Sequence, residues 1–295
     1  MKPKKSLGQN FLKDTTVLEK IIKAADLKAD DFVIEVGPGQ GTLTKELIKH
    51  AGKIVAIEID KSLAEQLKIK YKTNKKIEIL YGDILKINLP ELIIRHSEIR
   101  QSGVKNLLNN TTSSSGRKIL RPADRRPQDD GTDYKVVANI PYYITSPIIQ
   151  LFLETEFPPK EMILMVQKEV AERICSKPGN MSILAVSVQY YAKPELLFYV
   201  PRTAFWPAPE VDSAVIKIEV ISKNKEVSSE ERKRFFRVVK AGFCAKRKVL
   251  SNNLSSSFHI SKQEAEIKIK KAGIDPSSRA QELSIDDWKK MEKLF

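Results

Sequence analysis

Cysteine is nearly missing from this 295-residue chain. Cys175 and Cys244 are too few for a disulfide framework and lack the spacing of a metal site. Histidine is as scarce: His50, His96 and His259 are scattered and offer no ligand spacing, so no metal is expected. No apolar run reaches the roughly 18 residues of a membrane span. The opening "MKPKKSLGQNFL" is too polar for a signal peptide, so a cytoplasmic protein with no membrane partner is expected. Acidic residues are also short, 37 against 51 lysines and arginines, for a formal net charge of +14. Such an excess predicts a polyanionic partner.

The positive charge is concentrated. Arg232, Lys233, Arg234, Arg237, Lys240, Lys246, Arg247 and Lys248 form a run with no acid between them. A solvated helix face is the bland explanation, but such faces usually mix signs to gain i,i+4 pairs. With Phe235, Phe236 and Phe243 alongside, the run reads as a nucleic-acid contact.

Strand-like and helix-like segments alternate through most of the chain. Residues 14–25 have helical periodicity, with Asp14 or Thr15 as N-cap. Strands are predicted at 31–37, 53–60, 76–83, 134–140 and 161–167, with helices at 41–50, 61–72 and 145–155 between them. Two more strand-like segments, "LAVSVQYYAKPELLFYV" (184–200) and "SAVIKIEV" (213–220), follow. This predicts an α/β fold: a Rossmann-like, mostly parallel sheet of seven strands over residues 1–222, then a small all-helical domain over 223–295. Residues 97–133, rich in Ser, Thr, Asn, Pro and Gly, read as a flexible insertion between the third and fourth strands.

Chemistry-bearing residues fall at the predicted strand ends. "EVGPGQG" sets Gly37, Gly39 and Gly41 between a strand and a helix, where backbone N–H groups can meet a ligand. The spacing is G-x-G-x-G rather than the dinucleotide fingerprint, which disfavours a nicotinamide dehydrogenase and suits a nucleoside without phosphates. Glu58 ends the second strand 21 residues after Gly37, where a carboxylate can accept from ribose hydroxyls, and Asp60 is its competitor. Asp83 ends the third strand and could accept the amino group of an adenine. Together these describe an adenosine pocket on a class I methyltransferase sheet, and so S-adenosyl-L-methionine as cofactor.

The fourth strand runs into "NIPYY". An adenine amino group is a poor nucleophile because its lone pair is delocalised into the ring. The Asn139 side-chain oxygen and a backbone carbonyl beside Pro141 can accept its two hydrogens, while the Tyr142 ring stacks on the base. Tyr143 is expected to be core filler.

Four separated motifs, "KKSLGQNFL", "EVGPGQGTLT", "NIPYYITSP" and "RTAFWPAPEVDSAV" (202–215), resemble the KsgA (RsmA) family of small-subunit ribosomal RNA adenine N6-dimethyltransferases. "AGFCAKRKVLSNNL" (241–254) and "RAQELSIDDW" resemble that family's helical C-terminal domain. The resemblance covers nearly the whole chain except the insertion, which departs from the usual short connection. It implies transfer of methyl groups to two adjacent adenines in the 3′-terminal hairpin loop of the small-subunit rRNA, within a pre-30S-type particle, by a monomer. By the same resemblance Asn10 and Leu12, with Gln9 beside them, meet the methionine end of the cofactor. Gly37, Glu58 and Asp83 keep the roles above, Asn139 contacts both cofactor and amino group, and Tyr142 and Phe205 hold the target adenine. The RNA-binding residues expected from the basic run are Arg232, Lys233, Arg234, Arg237, Lys246, Arg247 and Lys248. Rival readings are a large-subunit rRNA adenine dimethyltransferase of the macrolide-resistance type and a noncatalytic nucleic-acid-binding protein on the same fold.

Overall fold

A computed structural model describes residues 3–4, 7–96, 133–221, 228–245 and 247–295. The predicted insertion, apart from Asp133, lies outside the described residues, as do Lys246 and the expected domain boundary at Ser222.

Seven strands form the expected, mostly parallel sheet. A two-residue β1 (Phe11–Leu12) and helix α1 (Thr15–Ala25) precede it, the helix capped by Asp14, which accepts from the Thr16 and Val17 amides. Then come β2 (Phe32–Val36), α2 (Thr42–His50), β3 (Lys53–Glu58), α3 (Lys61–Lys70), β4 (Ile77–Tyr81) and α4 (Leu89–His96). Next are β5 (Lys135–Asn139), α5 (Thr145–Glu154), β6 (Glu161–Gln167) and α6 (Lys168–Ile174). They are followed by α7 (Ile183–Tyr191), β7 (Ala192–Val200), a two-residue β8 (Phe205–Trp206) and β9 (Ser213–Val220). The sheet order is β4-β3-β2-β5-β6-β9-β7, parallel from β4 to β6, with β9 antiparallel to both neighbours.

This order creates the site. From β2 the chain moves outward to β3 and β4 and then returns to the other side of β2 as β5, so connections diverge between β2 and β5. Ligands bind at the carboxyl ends of strands at such a switch point. Every residue of β2 is buried, including Glu35, because helices cover both sheet faces. At the opposite end of the sheet, Lys135 is tied to Glu161 at 2.9 Å and Asp31 at 3.1 Å and also donates to the Ala25 and Asp26 carbonyls.

Residues 184–200 depart from the expected single strand: 183–191 are helix α7 and only 192–200 are strand. Ser182 caps the helix by accepting from the Ala185 amide. The β-branched and aromatic side chains that suggested a strand are instead buried on a helix packed in the core. Tertiary burial overrides local propensity here.

After the sheet come α8 (Ser229–Gly242), α9 (Leu250–Phe258), α10 (Lys262–Lys271) and α11 (Ile285–Glu292). They share one hydrophobic core with the sheet's α7 face. Phe235 meets Tyr190 at 4.3 Å, Phe236 stacks on Tyr191, and Phe243 stacks on the fully buried Trp288. Gly242 leaves no room for a Cβ beside the Trp288 ring. The three phenylalanines expected to flank a nucleic-acid contact are therefore packed within the protein, Phe235 fully and the other two in part.

Candidate functional site: a cleft at the β2–β5 switch point

One cleft gathers the predicted catalytic and cofactor-binding residues, with Phe205 as the exception. Asn10, Leu12, Gly37, Glu58, Asp83, Asn139 and Tyr142 all line it. Gly37, Gly39 and Gly41 have φ of 68°, 58° and 77°, the left-handed region that makes this tight strand-to-helix turn a glycine task. A Cβ on Gly39 would come within 3.0 Å of the Phe11 ring.

The wall is chemically unlike the rest of the molecule. In a chain of net charge +14, its described lining residues include three carboxyl groups, Glu35, Glu58 and Asp83, and no lysine, arginine or histidine. A pyrophosphate would find no counter-charge there. A cationic nucleoside would, and the residues fit S-adenosylmethionine, with its sulfonium and ammonium groups, on that ground.

Glu58 is buried, and its two oxygens accept from the Gly39 amide at 2.9 Å and the Asp60 amide at 2.8 Å. Burial raises its pKa, and those two bonds oppose the rise. The carboxylate thus fixes the glycine turn as well as facing the cleft. Asp60, the competitor for the ribose role, does not line the cleft. It accepts from Lys4 Nζ and Gln9 Nε2, both at 3.0 Å, and from the Ser62 amide and hydroxyl. Although burial pushes the Asp60 carboxyl up, these donors outweigh it and hold the pKa far below the usual carboxylate range. Asp60 anchors the amino-terminal arm whose residues Leu7 to Leu12 wall the cleft. Glu35 lies deepest; burial pushes its carboxyl up to about 8 despite a 2.7 Å bond donated by Thr44.

At the end of β5, Asn139 Nδ2 donates to the Asn10 carbonyl at 3.2 Å, leaving the side-chain oxygen as the acceptor that this bond does not use. Tyr142 is half-buried, and its hydroxyl shares a 2.7 Å hydrogen bond with Ser213 at the start of β9. Burial raises the Tyr142 pKa, so the phenol stays neutral. Ser213 escaped the sequence reading; its only signal was its place in "VDSAV".

Phe205 is not on the cleft wall. β1 and β8 pair antiparallel, Leu12 opposite Phe205 and Phe11 opposite Trp206, so the ribbon has two faces. Phe205 is buried in the cluster with Leu12, Val17, Leu18 and Ile21, while Trp206 is 44% exposed. Tyr143, expected as core filler, is 55% exposed, because the short helical turn 142–144 at the strand exit turns it to solvent.

The basic run is less bare than it reads. Lys233 pairs with Glu230 at 2.9 Å and Arg234 with Glu292 at 3.2 Å, acids lying outside the run in sequence. Arg232 lies over the Tyr191 ring and Arg237 over Phe258, at 5.8 and 4.8 Å. Lys240, Arg247 and Lys248 are exposed. Among the described residues no group of three or more His, Cys, Asp or Glu could hold a metal, and no helix is long and apolar enough to cross a membrane.

The sequence model of the family described as "Ribosomal RNA adenine dimethylase" matches residues 1–295. A "Ribosomal RNA small subunit methyltransferase A" of Dehalococcoides mccartyi is 40% identical over 99% of this chain and 88% of the relative. One of the same name from Caldanaerobacter subterraneus is 41% identical over 98% and 95%. Among solved structures, a dimethyladenosine transferase from Plasmodium falciparum superposes with a TM-score of 0.70 at 23% identity, covering 95% of each chain, and so shares the fold.

Proposed function

Because this chain belongs to the ribosomal RNA adenine dimethylase family, we propose that it dimethylates N6 of two adjacent adenines in the 3′-terminal hairpin loop of small-subunit rRNA. The reaction would take place in the cytoplasm on a pre-30S-type particle. S-adenosylmethionine supplies an electrophilic methyl group carried on a sulfonium. The observation that carries the reading is the conjunction, at one switch point, of an all-acidic ionisable lining with the Asn139–Tyr142 strand exit.

The residues then divide the work. Glu58 and Asp83 accept from the ribose and the adenine of the cofactor, and Asn10 and Leu12 enclose its methionine end. Asn139 Oδ1 and the Ile140 carbonyl accept the two hydrogens of the target amine, freeing its lone pair from the ring. The Tyr142 ring, its plane set by the bond to Ser213, supports the base on one side. Phe205 closes the other side once its ring turns out of the cluster with Leu12. No general base is required, since a positioned amine can lose its proton to water after transfer. Arg247, Lys248 and the partly paired arginines of α8 contact the RNA backbone, because exposed ion pairs such as Arg234–Glu292 hold their partners only weakly.

The test is mass spectrometry of rRNA from cells lacking the protein, before and after purified protein and cofactor are added to their small-subunit particles. Dimethyladenosine should appear at two adjacent positions in the small-subunit rRNA only. Its appearance in large-subunit rRNA instead, or cofactor binding without transfer, would refute the reading.

A further inference from the structure

Trp206 and Tyr143 stand in solvent beside the cleft, and neither has a task in the proposed function. Trp206 follows Phe205 and lies on the ribbon face of Phe11, a cleft-lining residue. Lys13 Nζ sits 4.9 Å from its ring centroid, and the Lys13 amide donates to the Ala204 carbonyl at 2.8 Å, tying the lysine to the same ribbon. Tyr143 follows Tyr142 and stands against Gly8, another cleft-lining residue, where a Cβ would come within 3.4 Å of the Tyr143 ring. Single exposed hydrophobics are ordinary on any protein surface. These two differ because each adjoins in sequence a ring already assigned to the target base, and because one carries a cation against its face.

A base that reacts at an exocyclic amine must leave its stack, and its neighbours then lose a stacking partner. Aromatic side chains restore that contact whatever the base, since every base has a π-face. A base that stacked on that face would displace the ammonium, which would then be free to meet a neighbouring phosphate. We propose that Trp206 and Tyr143 are stacking platforms for the nucleotides on either side of the target adenine, with Lys13 beside Trp206 taking a flanking phosphate. The protein then grips a short unpaired RNA segment rather than one flipped base. This rests on the RNA-adenine reading above and adds a specificity to it: unpaired neighbours are required.

The chain has two tryptophans, and Trp288 is fully buried, so fluorescence quenching by RNA reports on Trp206. Hairpin RNAs with two adjacent loop adenines would be titrated into the full chain with S-adenosylhomocysteine, with and without an abasic residue at the 5′ or 3′ neighbour. RNA should quench the exposed tryptophan, and one of the two abasic RNAs should not. Trp206→Ala and Tyr143→Ala should each weaken RNA binding and kcat/KM by about 5- to 100-fold, the range of one lost stack. Each loss should vanish with the RNA abasic at the matching position. Trp206→Phe should recover most of the loss, and S-adenosylhomocysteine affinity should not change. Parental kcat/KM in both alanine variants, or abasic and variant losses that add independently, would overturn the proposal. Quenching and abasic sensitivity without any methylation would instead refute the reaction and support the platform.

Discussion

Replacing Asn139 by Ala separates the two jobs that this side chain is given. Its nitrogen holds the Asn10 carbonyl through one neutral hydrogen bond of 3.2 Å. Losing such a bond costs about 0.5–1.5 kcal/mol, so cofactor affinity should fall by at most about tenfold through a loosened amino-terminal arm. On the proposed function its oxygen is the acceptor that would meet charge as it develops on the amine, and losing one preorganised polar contact of that kind costs about 100- to 1000-fold in kcat. The second effect should therefore exceed the first by an order of magnitude or more. Single-turnover transfer of labelled methyl groups at saturating cofactor measures one, and calorimetry of S-adenosylhomocysteine measures the other. Turnover within a few-fold of the parent protein would refute the clamp. Glu58→Ala should show the opposite split, since that carboxylate accepts two backbone amides and faces the cleft where the proposed function seats the cofactor. Hydrogen bonds to a charged group are worth about 1.5–3 kcal/mol, so cofactor should bind roughly 10- to 100-fold more weakly while kcat at saturation changes little.

Glu35 makes stability depend on pH. A carboxyl that keeps its proton when folded and loses it when unfolded lowers stability as pH rises. Its contribution is complete below its ordinary value of 4.5 and is lost by about 8. Glu35→Gln keeps an acceptor for Thr44 without the charge, so its Tm should exceed the parent's by a margin that widens from pH 5 to pH 8.5; a constant margin would sink the idea. Changing Arg247 and Lys248 together to Gln should flatten the slope of log affinity against log salt for small-subunit particles by roughly one to two units, since each lost phosphate contact releases about one counterion fewer. An unchanged slope in that titration would move the RNA contact elsewhere.

Sequence alone revealed the parts of the fold that rest on local pattern and missed those that rest on long-range pairing. The parallel strands announce themselves by buried β-branched runs, and the glycine turn by its spacing, because both are written within a few neighbouring residues. Asp60 looked equivalent to Glu58 because both stand at the end of the predicted strand 53–60, whereas β3 stops at Glu58 and Asp60 caps α3. Only the fold shows that Lys4 and Gln9, more than 50 positions away, occupy one and leave the other to the cleft. The ribbon of β1 and β8 joins residues some 194 positions apart by two residues each, too short for any periodicity to show. Tyr143 and α7 were misread for one reason: an apolar or aromatic side chain does not say which surface it will meet.

That ribbon also has a consequence for how the site can change. Directly opposed residues share a face and successive residues alternate, so its register, not its composition, decides which ring is turned inward. With Leu12 opposite Phe205, the phenylalanine is packed away and the tryptophan meets solvent. A slip of one residue would exchange them without altering a single amino acid. On the roles proposed for these rings, the length of chain between Val200 and Ser213 matters to recognition as much as the rings themselves, since a one-residue insertion that shifted the pairing would turn both over at once.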